Sequence, residues 1–123
     1  MISGIGSDIV RTDRIKDAIR RWGPRFIERI YTEDEVAYCM HNINPYPHLA
    51  ARFAAKESVI KAFGGAYGLT LKGIEVVNDS AGRPSIRLNG DPARLLTGFG
   101  TAKIHLSLSH EREYALAFVI IET

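Results

Sequence analysis

The stretch that most narrows the choice of fold is Arg52-Phe53-Ala54-Ala55-Lys56-Glu57-Ser58-Val59-Ile60-Lys61-Ala62-Phe63-Gly64-Gly65. Its Ala, Lys, Glu and Arg content predicts a helix, and Gly64-Gly65 supplies the stop. At about 100° per residue, Ala55, Val59, Phe63, Ile60 and Phe53 fall on one broad apolar arc. Arg52 and Lys56 lie inside that arc. Each therefore needs a partner or an interface, since an unpaired buried charge is very costly. Glu57 and Lys61 sit one turn apart beside the arc, with only Ala54 and Gly64 close by. As an exposed pair they would contribute roughly a few tenths of a kcal/mol. As chemistry, they present a carboxylate and an ammonium together where little bulk crowds them.

Around this helix the chain reads as α+β: helices in the first half, packed on a small, mainly antiparallel sheet. Ile2 to Val10 is strand-like, with Gly4 and Gly6 allowing close backbone approach. Asp8 is out of place for packing there. It is either an N-cap for the next helix or a ligand, and Thr12 and Asp13 stand nearer the helix start as caps. Asp13 to Trp22 is helical, with Ile15, Ala18, Ile19 and Trp22 inward. Gly23-Pro24 breaks it, and Pro24 opens a short helix to Ile30 with Phe26, Ile27 and Ile30 inward. Thr32 to Glu35 is a capping box, continued by Val36 to Met40. His41 and His48 flank an Asn- and Pro-rich loop and read as surface residues; the central helix begins near His48 or Leu49. Ile74 to Val77 and Arg83 to Leu88 form a hairpin, and Pro92 to Phe99 a short helix. Lys103 to Ser109 alternates, with Ile104, Leu106 and Leu108 on one face. Tyr114 to Ile121 is an apolar strand expected to be covered on both faces. Ser109 and His110 stand at the tip of this last hairpin, where His110 is either a turn residue bonding locally or part of a site.

A chain of 123 residues suffices for one domain, 1–123, with one core. Its hydrophobic content of 46% and charged content of 24% are those of a soluble globular protein. A net charge of +2 is too small to imply nucleic acid. Its distribution says more: Arg11, Arg14, Lys16, Arg20, Arg21, Arg25 and Arg29 outnumber Asp13, Asp17 and Glu28 in the same region. That is either a solvated face or a docking surface for an acidic helical partner. Cys39 is the only cysteine, which excludes an internal disulfide and a cysteine-based zinc site and suits a reducing compartment. The start lacks a basic n-region, and the longest apolar run, Ala115 to Ile121, is too short to span a bilayer. The expectation is a cytoplasmic protein with no membrane partner. Neither a P-loop nor a G-x-G-x-x-G fingerprint is present.

Three segments together resemble the holo-acyl-carrier-protein synthases, the short bacterial class of 4′-phosphopantetheinyl transferases. They are Gly4-Ile5-Gly6-Ser7-Asp8-Ile9-Val10, Arg52 to Ala62, and Ser107-Leu108-Ser109-His110 followed by Tyr114-Ala115-Leu116-Ala117. Thr32-Glu33, Ile74-Glu75-Val76 and Asn78-Asp79 with Gly82 and Pro84 fit as well, so the resemblance runs in order along nearly the whole chain. It implies a 4′-phosphopantetheinyl transferase-like fold. It also implies Mg²⁺-dependent transfer of phosphopantetheine from coenzyme A to a serine of apo-acyl carrier protein, serving fatty acid biosynthesis, with adenosine 3′,5′-bisphosphate as the other product.

Carried over residue by residue, the resemblance makes Asp8 and Glu57 the metal ligands and Lys61 a phosphate-facing cation, these three being the catalytic set. Arg52, Lys61, Gly64, Ser109 and His110 fall to the coenzyme A site. Arg14, Arg21, Arg25 and Arg29 face the carrier, with Phe26 as an apolar contact among them. The family is typically a homotrimer with sites between subunits. The chemistry agrees: Mg²⁺ takes one or two carboxylates and completes its shell with phosphate oxygens and waters. Glu57 or a metal-bound water could take the serine proton. Gly64-Gly65-Ala66-Tyr67-Gly68 departs from the family's frequent Gly-Thr-Gly. The competing readings are a non-catalytic module binding coenzyme A or an acidic protein, and a metal-dependent phosphohydrolase.

Overall fold

The computed structural model describes residues 1–65 and 68–123. It places β1 at Ile2–Arg11, α1 at Thr12–Trp22, α2 at Pro24–Ile30, α3 at Glu33–Met40 and α4 at Tyr46–Ala62. A 3₁₀ turn at Leu71–Gly73 follows, then β2 at Ile74–Asn78, β3 at Pro84–Leu88, α5 at Asp91–Thr97, β4 at Lys103–His110 and β5 at Tyr114–Glu122. The fold is α+β. One antiparallel sheet has the order β1-β5-β4, and β2 and β3 form a separate antiparallel hairpin.

The predicted central helix is α4, and everything else packs around it. One side lies on β1 and β5, and other sides meet α1, α3 and β2. Leu49, Ala50, Ala51, Ala54, Ala55 and Val59 are fully or almost fully buried. Their small size lets neighbours come close from several directions, so the helix is buried on more than the single arc its periodicity predicts, and Phe53 and Ile60 end only half-buried. Its start is Tyr46, one half-turn earlier than expected, with Pro47 in the first turn where a missing N–H does no harm. Phe63 ends it, and Gly64 and Gly65 take φ of +85° and +77°, which only glycine adopts freely.

Lys56 finds its partner within the chain. Its Nζ donates to Glu35 Oε1 at 2.8 Å, to the Leu71 carbonyl at 3.0 Å and to the Ile74 carbonyl at 2.5 Å. Glu35 belongs to the predicted capping box, which is present in full around Thr32. Its other oxygen accepts the Val76 N–H at 3.1 Å. Burial draws the Lys56 ammonium downward in pKa and the Glu35 charge opposes this. The pair therefore stands inside the core with its hydrogen-bonding capacity largely used.

Four expectations need correction. Neither Thr12 nor Asp13 caps α1: the N-cap is Arg11, without a side-chain bond, and Thr12 is buried as the first helical residue. Trp22 is not inward but 58% exposed, because α1 ends there and Gly23 turns the chain away. His48, within α4, is half-buried rather than a surface residue. β5 is covered on one face only. Ala115, Ala117, Val119 and Ile121 are buried against α4, while Tyr114, Leu116 and Phe118 alternate outward and are exposed. On the neighbouring strand Ile5 and Ile9 are exposed at 59% and 62%. Ile9 stands opposite Leu116 in the register and Ile5 opposite Ile120, so these side chains form one apolar sheet face.

Candidate active site

Asp8 owes its position to two glycines. Gly4, Gly6 and Asp8 share the face of β1 that looks at α4. A Cβ on Gly4 would run into the Ala62 carbonyl, and one on Gly6 into the Ser58 carbonyl. Without side chains there, the strand lies directly on the helix, and the next residue on that face delivers its carboxylate beside the last turns of α4. Lys61 Nζ donates to Asp8 Oδ1 at 3.2 Å and to the Ser7 carbonyl at 2.9 Å. Glu57, one turn before Lys61, is half-buried. Its carboxyl is pushed above the ordinary range first by burial and then by the Asp8 charge, against the pull of Lys61 and Arg14. The Arg14 guanidinium is 5.9 Å from the centre of the Phe53 ring on the same helix.

Asp8, Glu57, Lys61 and Arg14 are thus brought together by three separate elements, β1, α1 and α4. Among the described residues no group of three or more His, Cys, Asp and Glu could form a metal cage. Two hard carboxylates that repel each other, with Lys61 open to solvent on one side, instead fit a Mg²⁺ that draws its remaining ligands from phosphate and water.

The other predicted residues gather elsewhere. Arg52 is only 3% exposed; its Nη2 donates to Asn78 Oδ1 at 2.6 Å, and its guanidinium lies 4.2 Å from the Tyr38 ring centre. Arg52 lines a cavity of about 450 Å³ together with Asp34, Tyr38, Asn78, Asp79 and Arg87, and its Nε has no partner. His48, one turn before Arg52, stands between Tyr38 and His110, with ring centres 6.4 and 5.0 Å away. Burial, then His110, then Arg52 hold the His48 imidazole below its ordinary pKa. In the sheet, Asp8 faces Ala117 and Leu108 faces that same residue, whereas His110 faces Ala115. Asp8 and His110 are therefore on opposite edge strands with β5 between them. Ser109 is exposed on the apolar outer face, opposite Leu116. One chain does not unite Ser109, His110 and Arg52 with Asp8, Glu57 and Lys61. Gly64 is exposed just past the end of α4, after Lys61; residues 66 and 67 of the departing Gly64–Gly68 segment lie outside the described residues.

Arg14, Arg21, Arg25 and Arg29 are all exposed. Arg25, Phe26 and Arg29 line a groove of about 770 Å³ with Trp22, Glu28 and Lys72. Phe26 is half-buried, its ring edge-on to Tyr31 at 6.4 Å. Arg21 sits 5.2 Å from the Trp22 ring centre. Sequence reasoning missed Tyr38, His48, Trp22 and Lys72. The one signal available was spacing, since His48 and Arg52 are one helical turn apart. Lys72 is far from α2 in sequence, and nothing in the pattern announces their contact.

Comparison with known proteins bears on this geometry. The model of the 4′-phosphopantetheinyl transferase superfamily matches residues 4–119. The chain is 48% identical to the holo-[acyl-carrier-protein] synthase of Halothermothrix orenii over 99% of its own length and 98% of that protein's. In structure it resembles the holo-[acyl-carrier-protein] synthase of Neisseria meningitidis, with a TM-score of 0.91, 34% identity and both chains fully covered. It also resembles that of Bacillus anthracis, solved in complex with CoA (3′,5′-ADP), with a TM-score of 0.81 and 35% identity over 100% and 98% of the two chains. With sequence, topology and full-length coverage in agreement, the chain belongs to the holo-[acyl-carrier-protein] synthase family of the 4′-phosphopantetheinyl transferases.

Proposed function

We propose that this chain moves the 4′-phosphopantetheine group of coenzyme A onto a serine of apo-acyl carrier protein and releases adenosine 3′,5′-bisphosphate, in the service of fatty acid biosynthesis. The observation that carries the proposal is the convergence of Asp8, Glu57 and Lys61 at the contact between β1 and α4. The serine oxygen attacks the phosphorus on the pantetheine side of the diphosphate. The phosphorus–oxygen bond to the nucleotide half breaks, and the electron pair leaves on adenosine 3′,5′-bisphosphate. The serine proton passes to the Glu57 carboxylate or to a water beside it. Lys61, more than half exposed, is free to turn its ammonium to a non-bridging oxygen as charge develops. Asp8 and Glu57 would hold Mg²⁺, which when bound neutralises diphosphate charge and polarises the phosphorus under attack.

The exposed arginines Arg14, Arg21, Arg25 and Arg29, with Phe26 among them, dock the carrier, an acidic helical protein suited to such a face. Arg52, Ser109 and His110 bind the coenzyme's nucleotide half from a neighbouring subunit, and Gly64 leaves room for the pantetheine or phosphates at the helix end. The apolar face made by Ile5, Ile9, Leu116 and Phe118 supports assembly, in the homotrimer that the family resemblance implies. Such an assembly would supply each Asp8 with the His110 that its own sheet holds on the opposite edge. Among the described residues no helix is long and apolar enough to cross a membrane, and the lone buried Cys39 suits the cytoplasm.

The test is mass spectrometry of apo-carrier incubated with the protein, coenzyme A and Mg²⁺. A gain of the phosphopantetheine mass is expected. Unchanged carrier with bound coenzyme would favour a binding module instead, and carrier-independent cleavage of coenzyme A would favour a phosphohydrolase.

A further inference from the structure

The buried Glu35–Lys56 pair does more than close the core. Lys56 Nζ holds two backbone carbonyls, Leu71 at 3.0 Å and Ile74 at 2.5 Å, which bracket the 3₁₀ turn Leu71–Gly73. That turn carries Lys72, a wall of the basic groove beside Trp22, Arg25 and Arg29, and it packs against α2. On its far side the Asn89 N–H donates to the Gly73 carbonyl at 2.8 Å. Lys56 also precedes Glu57 on α4, so a rigid helical link joins the carboxylate to the side chain that grips the turn. Glu35 holds Lys56 from the start of α3 and accepts the Thr32 and Val76 N–H groups at 3.0 and 3.1 Å. No polar group of this node is exposed enough to meet a substrate.

We propose that Lys56 and Glu35 are positioning residues: they fix the Lys72 turn relative to Glu57, and so set the distance between the carrier's docking groove and the reacting centre. Lys72 is by the same geometry a further docking cation for the acidic carrier. The inference rests on the docking reading above. An acceptor serine delivered by a macromolecule must arrive in register with the attacked phosphorus, and small displacements there are costly. The effect of loosening the node is therefore expected on the carrier and not on coenzyme A.

The experiment separates positioning from bulk stability. Lys56→Met alone strands the Glu35 charge and is expected to lower the melting temperature. The double variant Glu35→Gln/Lys56→Met removes both charges and is expected to recover most of it. If the node positions the turn, the double variant still shows carrier kcat/KM reduced about tenfold, with the KM for coenzyme A unchanged. Glu35→Asp keeps both charges, shortens the link by one methylene and must show the same split, even if the double variant fails to fold. Lys72→Ala, on the surface, should raise the carrier KM by about threefold and weaken its salt dependence. Wild-type carrier kinetics in the folded variants, or an equal rise in both KM values, would overturn the inference. A wild-type protein that modifies no carrier at all would instead overturn the docking reading on which it rests.

Discussion

The two lysines of α4 make a natural comparison. Lys56 and Lys61 lie little more than one turn apart, and each is paired with a carboxylate from a different element. The first pair is wholly buried, with the ammonium held by three acceptors; in the second, Lys61 is 54% exposed and Asp8 19%. A charge enclosed with all its partners has one arrangement and serves geometry. A charge with an open side can exchange its partner for an incoming phosphate and serve chemistry. On the proposed function, the helix thus separates architecture from reactivity by rotation alone.

The sharpest way to break this comparison is at the open site, where Glu57 stands beside the Lys61–Asp8 pair. Glu57→Gln and Asp8→Asn should each lower transferase activity about a thousandfold. Circular dichroism should show both variants folded. Unfolding on either substitution would mean that the open site, too, is structural. At the closed pair the effect should invert: Lys56→Met should destabilise by about 3–5 kcal/mol in urea titration. Lys61→Met should fall between the extremes, with kcat lowered about a hundredfold and stability nearly unchanged.

A subtler test uses pH. Glu57 has a folded pKa above its ordinary value, so the folded state holds that proton more tightly than the unfolded chain does. Its favourable contribution is present at acid pH and is lost as pH rises through the raised value. Glu57→Gln should therefore gain in melting temperature over wild type on going from acid to neutral pH, while remaining inactive. A smaller effect belongs to the exposed arginines: Arg25→Ala should raise the carrier KM about fivefold at low salt and less at high salt, with coenzyme A KM unmoved.

Much of this was readable in the chain itself, because each signal was local. The Thr32–Glu35 box, the Gly64-Gly65 stop and both hairpins follow from residue chemistry within a few positions. The oddness of Asp8 in a first strand, and of Lys56 on an apolar arc, was also visible. What they meet was not. That Lys56 reaches Glu35 and the Leu71 turn, and that Lys61 reaches Asp8, depends on contacts far apart in sequence. The reading of β5 failed for a related reason. An apolar strand looks the same whether or not its second face meets a helix of its own chain, and in this chain Leu116 and Phe118 are left exposed.

The closeness of β1 to α4 has a consequence for anyone surveying this chain by substitution. At Gly4 and Gly6 the obstruction to a methyl group is main-chain oxygen, which no rotamer change can relieve. Alanine at either site would wedge the strand off the helix and carry the Asp8 carboxylate, further along the same face, away from Glu57. Two positions that contribute no functional group should thus be as intolerant as Asp8 and Glu57.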